Sequence, residues 1–273
     1  MPELPEVETI RRGLDPLVTG RRILGVQVRD KRLREPIRPE QLRRLRGARV
    51  EGIRRRSKYL LIDTSARLTL LVHLGMTGQL WVADRGRPRR PHEHVVIQLD
   101  DGRDLRFADT RRFGLLRVLR SDRIDLDPRI MGLGPEPLDP ALDGAALFRA
   151  TRGRRKPIKN FLLDTRSIAG VGNIYACEAL HRSRIHPKRP VGRIGEEAWG
   201  RLLGELRGVL NEAIAAGGTT LRDFLNAEGE VGYFAFSLRI YDRERKPCGR
   251  CAATVRRIVQ AGRSTFYCPR CQR

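Results

Sequence analysis

Four cysteines near the C-terminus constrain this chain more than any other feature of it. They fall as Cys248-x2-Cys251, sixteen intervening residues, then Cys268-x2-Cys271. Two such knuckles bring four sulfurs to the corners of a tetrahedron, the coordination Zn²⁺ prefers. Two disulfides would need an oxidising compartment. The opening MPELPEVETI is acidic and lacks the basic flank and apolar stretch of a signal peptide, so a cytoplasmic zinc ribbon is expected. Four protein ligands leave no open position for water, which makes the ion structural and not catalytic. The fifth cysteine, Cys177, lies in an apolar helical stretch and reads as a packed thiol.

The remaining residues change period twice. Leu4, Val7, Ile10, Leu14 and Leu17 recur at helical spacing, and Gly20 ends the run. Strand-like segments follow at 23–28, 50–56, 59–63, 68–74, 79–82, 94–99, 104–108 and 115–119, with a turn at Asp101-Gly102. Many short strands and one helix indicate a β-sandwich or barrel. GLGPEPLDP, residues 132–140, reads as a linker. Helical spacing then returns at 141–150, 158–163, 174–181 and 196–215. A short helix is expected at 219–226, a β-like run at 233–241, and ribbon hairpin strands at 254–259 and 264–267. The expected division is a β-sandwich domain at 1–131, the linker at 132–140, a helical domain at 141–235 and a zinc-ribbon finger at 236–273. A chain of 273 residues is long enough for two cores. No apolar run approaches the roughly 18–20 residues that span a bilayer.

Charge points to the partner. The chain carries 55 Lys and Arg against 32 Asp and Glu, a formal net charge of +23. Only six of the cations are lysines. Genome composition is the bland reading of that arginine bias. Even so, such a charge draws in polyanions, and the guanidinium fork matches phosphate oxygens, so nucleic acid is the first candidate and an anionic membrane surface the second.

Several local motifs admit two readings each. Pro2 follows Met1; trimming Met1 would leave a secondary α-amine, a nucleophile at neutral pH. A proline at the start of a helix also explains itself, as do Glu3 and Glu6 near a positive helix end. Met76 in HLGMTG and Phe113 in RRFG stand in Gly-flanked turns, where they either fold into the core or project as wedges between bases. GVGNIY, residues 170–175, is either a plain turn or a phosphate-gripping helix start. Lys58 sits in RRRSKY, where the ordinary reading is a solvated charge run.

Taken in order, these motifs resemble the bacterial formamidopyrimidine-DNA glycosylase family. The likeness covers PELPEVET, SKYLL, HLGMTG, RFADTRRFG, LGPEPL, IKNFLLD, AGVGNIYACEAL, GGTTLRDF and GRSTFYC, essentially the whole chain. Leu4 favours this branch over the sister group resembling endonuclease VIII, which usually has Gly there. The resemblance implies an α+β multidomain fold: a β-sandwich with an N-terminal helix, a helix–two-turns–helix domain and a zinc ribbon. It implies excision of oxidised purines (8-oxoguanine, formamidopyrimidines) from duplex DNA, followed by β,δ-elimination at the abasic site. Pro2 becomes the Schiff-base nucleophile, Glu3 the acid that assists sugar-ring opening, Lys58 the residue of β-elimination and Arg263 that of δ-elimination and phosphate binding. Met76, Arg111 and Phe113 match the trio that fills the gap left by the extruded base; His92, Arg154, Lys159 and Asn173 match phosphate contacts. Also implied are one structural zinc, no catalytic cofactor, damaged double-stranded DNA as partner, no membrane and a monomer. Cys177 stands where many relatives carry Ser. The stretch 217–233 is expected to form a mobile lid. A non-catalytic DNA-binding module would explain the charge and ribbon but not Pro2, Glu3 and Lys58 together; a zinc protein on ribosomal RNA would not explain the wedges.

Overall fold

The computed structural model describes residues 2–218 and 238–273. The helix expected at 219–226, most of the run 233–241 and nearly all of the 217–233 lid lie outside the described residues. The chain divides into two compact units, one containing residues 2–131 and the other containing 132–215 and 238–273.

In the first unit, α1 (Leu4–Val18) buries Leu4, Val7, Ile10, Leu14 and Val18 on one stripe. A capping box starts it: the Glu6 carboxylate accepts the Glu3 N–H at 2.7 Å, while the Glu3 side chain accepts from the third helical residue. Gly20, at φ +82°, takes the chain out of the helix. Eight strands follow: β1 (Ile23–Val28), β2 (Val50–Arg56), β3 (Tyr59–Thr64), β4 (Leu68–His73), β5 (Gly78–Asp84), β6 (Glu93–Leu99), β7 (Arg103–Asp109) and β8 (Leu115–Arg120). They form two antiparallel four-stranded sheets, ordered β1-β6-β7-β5 and β2-β3-β4-β8. Alternate residues of both sheets, among them Ile62, Val72, Ile97 and Phe107, join the apolar face of α1 in one core. Of the two architectures left open by period-two patterning, sandwich or barrel, the chain adopts the sandwich that the resemblance implied. Two short helices, α2 (Pro39–Arg43) and α3 (Pro128–Met131), were not expected; each is too brief to establish a periodic signal.

The second unit contains α4 (Gly144–Thr151), α5 (Ile158–Leu163), α6 (Asn173–Arg182) and α7 (Glu196–Ala215). Asp143 caps α4 by accepting the Ala146 N–H at 2.6 Å. A Cβ on Gly144 would lie 2.6 Å from the Gly200 nitrogen, so α4 and α7 meet at a distance only glycine permits. Arg182 clamps α6 to α7 through two bonds to Glu212, at 2.6 and 2.7 Å. Residues 132–140 have neither helix nor strand, yet they are held down: Arg207 donates to the carbonyls of Pro137, Asp139 and Leu142. The hairpin β9 (Arg256–Gln260) and β10 (Arg263–Tyr267) completes the ribbon. Leu238–Tyr241, the described end of the expected β-like run, is bent and not a strand. The Glu178 carboxylate explains the bend, because it accepts the backbone N–H groups of Arg239, Ile240 and Tyr241 at 2.9–3.1 Å.

Candidate functional site

The N-terminal residues and the β2–β3 hairpin are drawn together through α1. Pro2 and Glu3 are buried at the start of that helix. One turn on, Glu8 accepts from Arg11, Arg12 and Arg55, and Arg55 also donates to the Ser57 carbonyl at 2.9 Å. Further along, Asp15 accepts the Ile53 N–H of β2 at 2.9 Å. The helix is thus sewn to β2, and Arg55 runs from the helix to the two-residue turn Ser57-Lys58. Ser57 adopts φ 55°, and Lys58 is buried and not part of a solvated charge run. Across β3 and β4, the His73 ring lies tilted against Tyr59, with ring centroids 4.9 Å apart and the planes at 51°. Burial, with the Lys58 and Arg34 cations nearby, pushes the His73 imidazole down to about 4. It is neutral at pH 7, and its Nδ1 accepts the Gly75 N–H at 3.0 Å.

That bond begins the turn carrying Met76. A Cβ on Gly75 would lie 2.5 Å from the Phe113 backbone carbon, so the Met76 turn and the Phe113 turn touch backbone to backbone. Asp109, fully buried, ties them further: it accepts from Thr77 Oγ1 at 2.6 Å and from the Gly114 N–H at 2.7 Å. Thr77 Oγ1 accepts the Arg111 N–H in turn. On this scaffold Met76 and Phe113 are exposed (37% and 43%), and the Arg111 guanidinium stands 5.0 Å over the Phe113 ring. Two large apolar side chains and a cation therefore project side by side. Sequence reasoning missed Asp109 and Thr77; an Asp two residues before Arg111 was a turn signal, but only the fold brings the two turns to one carboxylate. Beside them, exposed His92 at φ 61° lines a cavity of about 560 Å³ with Arg29, Arg89, Arg90 and Arg112.

In the second unit, Lys159 is fully buried. Its Nζ donates to the Ser264 carbonyl at 3.1 Å and to Thr265 Oγ1 at 2.5 Å. Asn173, first residue of α6, donates to the same Ser264 carbonyl at 2.9 Å. Both side chains thus brace the hairpin strand that begins at Arg263, whose own side chain is exposed beyond the Ala261-Gly262 turn. Arg154 is exposed, and its carbonyl accepts the Gly192 N–H.

The sulfurs of Cys248, Cys251, Cys268 and Cys271 all lie within 4.8 Å of one another. Burial and the neighbouring thiols push Cys271 up to about 12, while a bond from the Ala253 backbone and the other thiols bring Cys251 down to about 7. A dication among them removes that conflict by holding all four as thiolates. Residues 245–273 match the family described as a zinc finger found in FPG and IleRS. The cluster is a structural zinc site.

Residues 1–116 match the formamidopyrimidine-DNA glycosylase N-terminal domain, and 133–225 match the H2TH domain of the same enzymes. The chain belongs to the formamidopyrimidine-DNA glycosylase family. It is 47% identical to the formamidopyrimidine-DNA glycosylase of Cereibacter sphaeroides and 48% identical to that of Stenotrophomonas maltophilia, with all of each chain covered. The Lactococcus lactis Fpg in complex with an abasic site containing DNA superposes with a TM-score of 0.91 at 32% identity, and both chains are covered completely. A mutant of the Lactococcus lactis FPG, in complex with a Fapy-dG containing DNA, gives the same values. Membership of the formamidopyrimidine-DNA glycosylase family makes the chain a DNA glycosylase. No helix of the described residues is long and apolar enough to cross a membrane.

Proposed function

We propose that this enzyme excises oxidised purines, 8-oxoguanine and formamidopyrimidines, from duplex DNA and then cleaves the abasic strand by β,δ-elimination. The observation that carries the reading is the link from the Pro2-Glu3 start of α1, through Glu8 and Arg55, to the buried Lys58 turn. An N-terminal secondary amine next to an acid is suited to iminium chemistry, and Lys58 adds a second amine in the turn that Arg55 ties to the same helix.

Once Met1 is removed, the Pro2 nitrogen attacks C1′ and the N-glycosidic bond breaks, with the electron pair leaving on the damaged base. Glu3 protonates the ring oxygen as the sugar opens, which leaves a Pro2 iminium. That cation acidifies the C2′ proton; its removal expels the 3′ phosphate, and a second elimination, served by Arg263, expels the 5′ phosphate. We assign Lys58 to the first elimination. General acid and base groups of this kind contribute on the order of 10²–10⁴-fold each.

The target base must leave the stack before any of this occurs, and the vacancy must be filled. Met76, Phe113 and Arg111 have the exposure and mutual geometry for that task. His92 and Arg154 are assigned to DNA phosphates. Lys159 and Asn173 are likewise assigned to DNA phosphates, and through the Ser264 carbonyl they also support the Arg263 strand. The proposed division of labour follows the expected boundaries: catalytic sandwich to residue 131, linker 132–140, helical domain to 235, and ribbon finger from 236. The relatives' complexes with Fapy-dG and abasic DNA support damaged duplex as the partner.

Borohydride trapping on an abasic duplex tests the reading. Protein beginning at Pro2 should become covalently linked to DNA through its N-terminus, and Pro2→Gly should trap far less. A form that retains Met1 and still cross-links at its N-terminus would sink the assignment.

A further inference from the structure

Opposite the Asn173 end of α6, His181 reaches the zinc site. It is buried at 2% exposure, and its Nε2 lies 3.4 Å from the Sγ of Cys248. Its Nδ1 is buried and has no hydrogen-bond partner among the described residues. Among those residues the sulfur is therefore the polar group that the ring nitrogens meet. A zinc-bound thiolate is an acceptor, so the proton belongs on Nε2 and the bond runs from Nε2–H to Sγ.

The surroundings make this a built contact. Cys177, one turn earlier on α6, packs with Cys248, Cys268, Val255, Phe266 and Ile240 in one buried cluster, so the sulfur is shielded from water. Arg250, between the first two cysteines, donates to the His181 and Arg182 carbonyls at 3.5 and 3.3 Å. The first knuckle is thus held against the C-terminal end of α6 by backbone as well as side chain. At the other end of the same helix, Asn173 holds Ser264, next to Arg263.

We propose that His181 is a positioning residue of the zinc centre: its Nε2–H neutralises part of the charge on the Cys248 thiolate and slows loss of the metal, so that α6 grips the ribbon at both ends. Four thiolates on one dication carry a net charge of −2, and in a dry site a donor to sulfur is the means of offsetting it. A packed thiol at Cys177 and a plain core histidine at 181 would need no such directed contact.

The test uses the full-length zinc-loaded protein. Zinc transfer to excess chromophoric chelator is timed for the wild type, His181→Leu and His181→Gln, since Gln places an N–H near the Nε2 position. Removing an outer partner of a metal ligand typically costs 10–100-fold in affinity. His181→Leu should therefore release zinc at least about tenfold faster, with His181→Gln close to the wild type. Cobalt-substituted His181→Leu should keep the spectrum of tetrahedral four-thiolate coordination. Should His181→Leu fail to fold, the cadmium-113 form of the wild type decides: scalar coupling between cadmium and the His181 Nε2–H proton is expected. Unchanged release from folded His181→Leu, or no such coupling in the cadmium protein, would overturn the proposal.

Discussion

Asp109 is a carboxylate with no exposed surface, and it can stay so because its oxygens are met by the Thr77 hydroxyl and the Gly114 N–H. Asp109→Ala would strand both donors, at about 1–3 kcal/mol for each buried group left unpaired. The expected result is a lower melting temperature and slower single-turnover excision from a lesion duplex, with Asp109→Asn milder because it keeps one acceptor. Wild-type excision by well-folded Asp109→Ala would show that the two turns need no tie. His73 yields a pH prediction at the same scale. Folded, it stays neutral down to about 4; unfolded, it protonates near 6.5, so between these values the unfolded chain binds more protons. Its contribution is complete above about pH 6.5 and falls as pH drops toward 4, at no more than about 1.4 kcal/mol per pH unit. Denaturant melts of His73→Gln should show a shallower loss than the wild type over that window. Neither residue was legible as important from the sequence. His73 lies in a motif noticed for Met76, and Asp109 in one noticed for Phe113, because large or charged tips announce themselves while the side chains that aim them look ordinary.

Among the elements, the paired turns and the ribbon are the most exposed to single changes. Gly75 combines φ 62° with a backbone neighbour 2.5 Å from where a Cβ would sit. Gly75→Ala must therefore push the Met76 and Phe113 turns apart. Base excision from an intact 8-oxoguanine duplex is expected to slow by about ten- to a hundredfold, the effect of a few kcal/mol of unstacking at 1.4 kcal/mol per decade. Cleavage of a preformed abasic site should change much less, and equal losses on the two substrates would assign these turns to general DNA binding. Cys248→Ser should release zinc and loosen the β9–β10 hairpin, with the sandwich still folded by circular dichroism and duplex affinity reduced. Strands and helices were legible because their periods are local: β1 and α7 begin and end where the pattern does. The bend at Leu238–Tyr241 was not, since the side-chain carboxylate that accepts its N–H groups, Glu178, is some sixty residues away.

For the molecule as a whole, the net charge of +23 predicts steep salt dependence. Each phosphate neutralised contributes a slope of about −0.9 to log K against log salt. Replacing exposed Arg154 by Ala should flatten that slope by about one unit in a fluorescence titration with undamaged duplex; an unchanged slope would remove Arg154 from the DNA surface. By itself the sequence determined the order of sandwich, helical segment and ribbon, the zinc ligands, and the polyanionic class of partner. Those properties rest on spacing, periodicity and summed charge, all of which survive being read one residue at a time. Tertiary structure decided the rest: that Lys58 is buried in a turn whose Ser57 carbonyl Arg55 ties to Glu8, that Lys159 and Asn173 meet at one carbonyl beside Arg263, and that His181 faces the Cys248 sulfur. Each of these depends on burial and direction. A side chain acquires both only when segments distant in sequence close around it and exclude the water that would otherwise satisfy it.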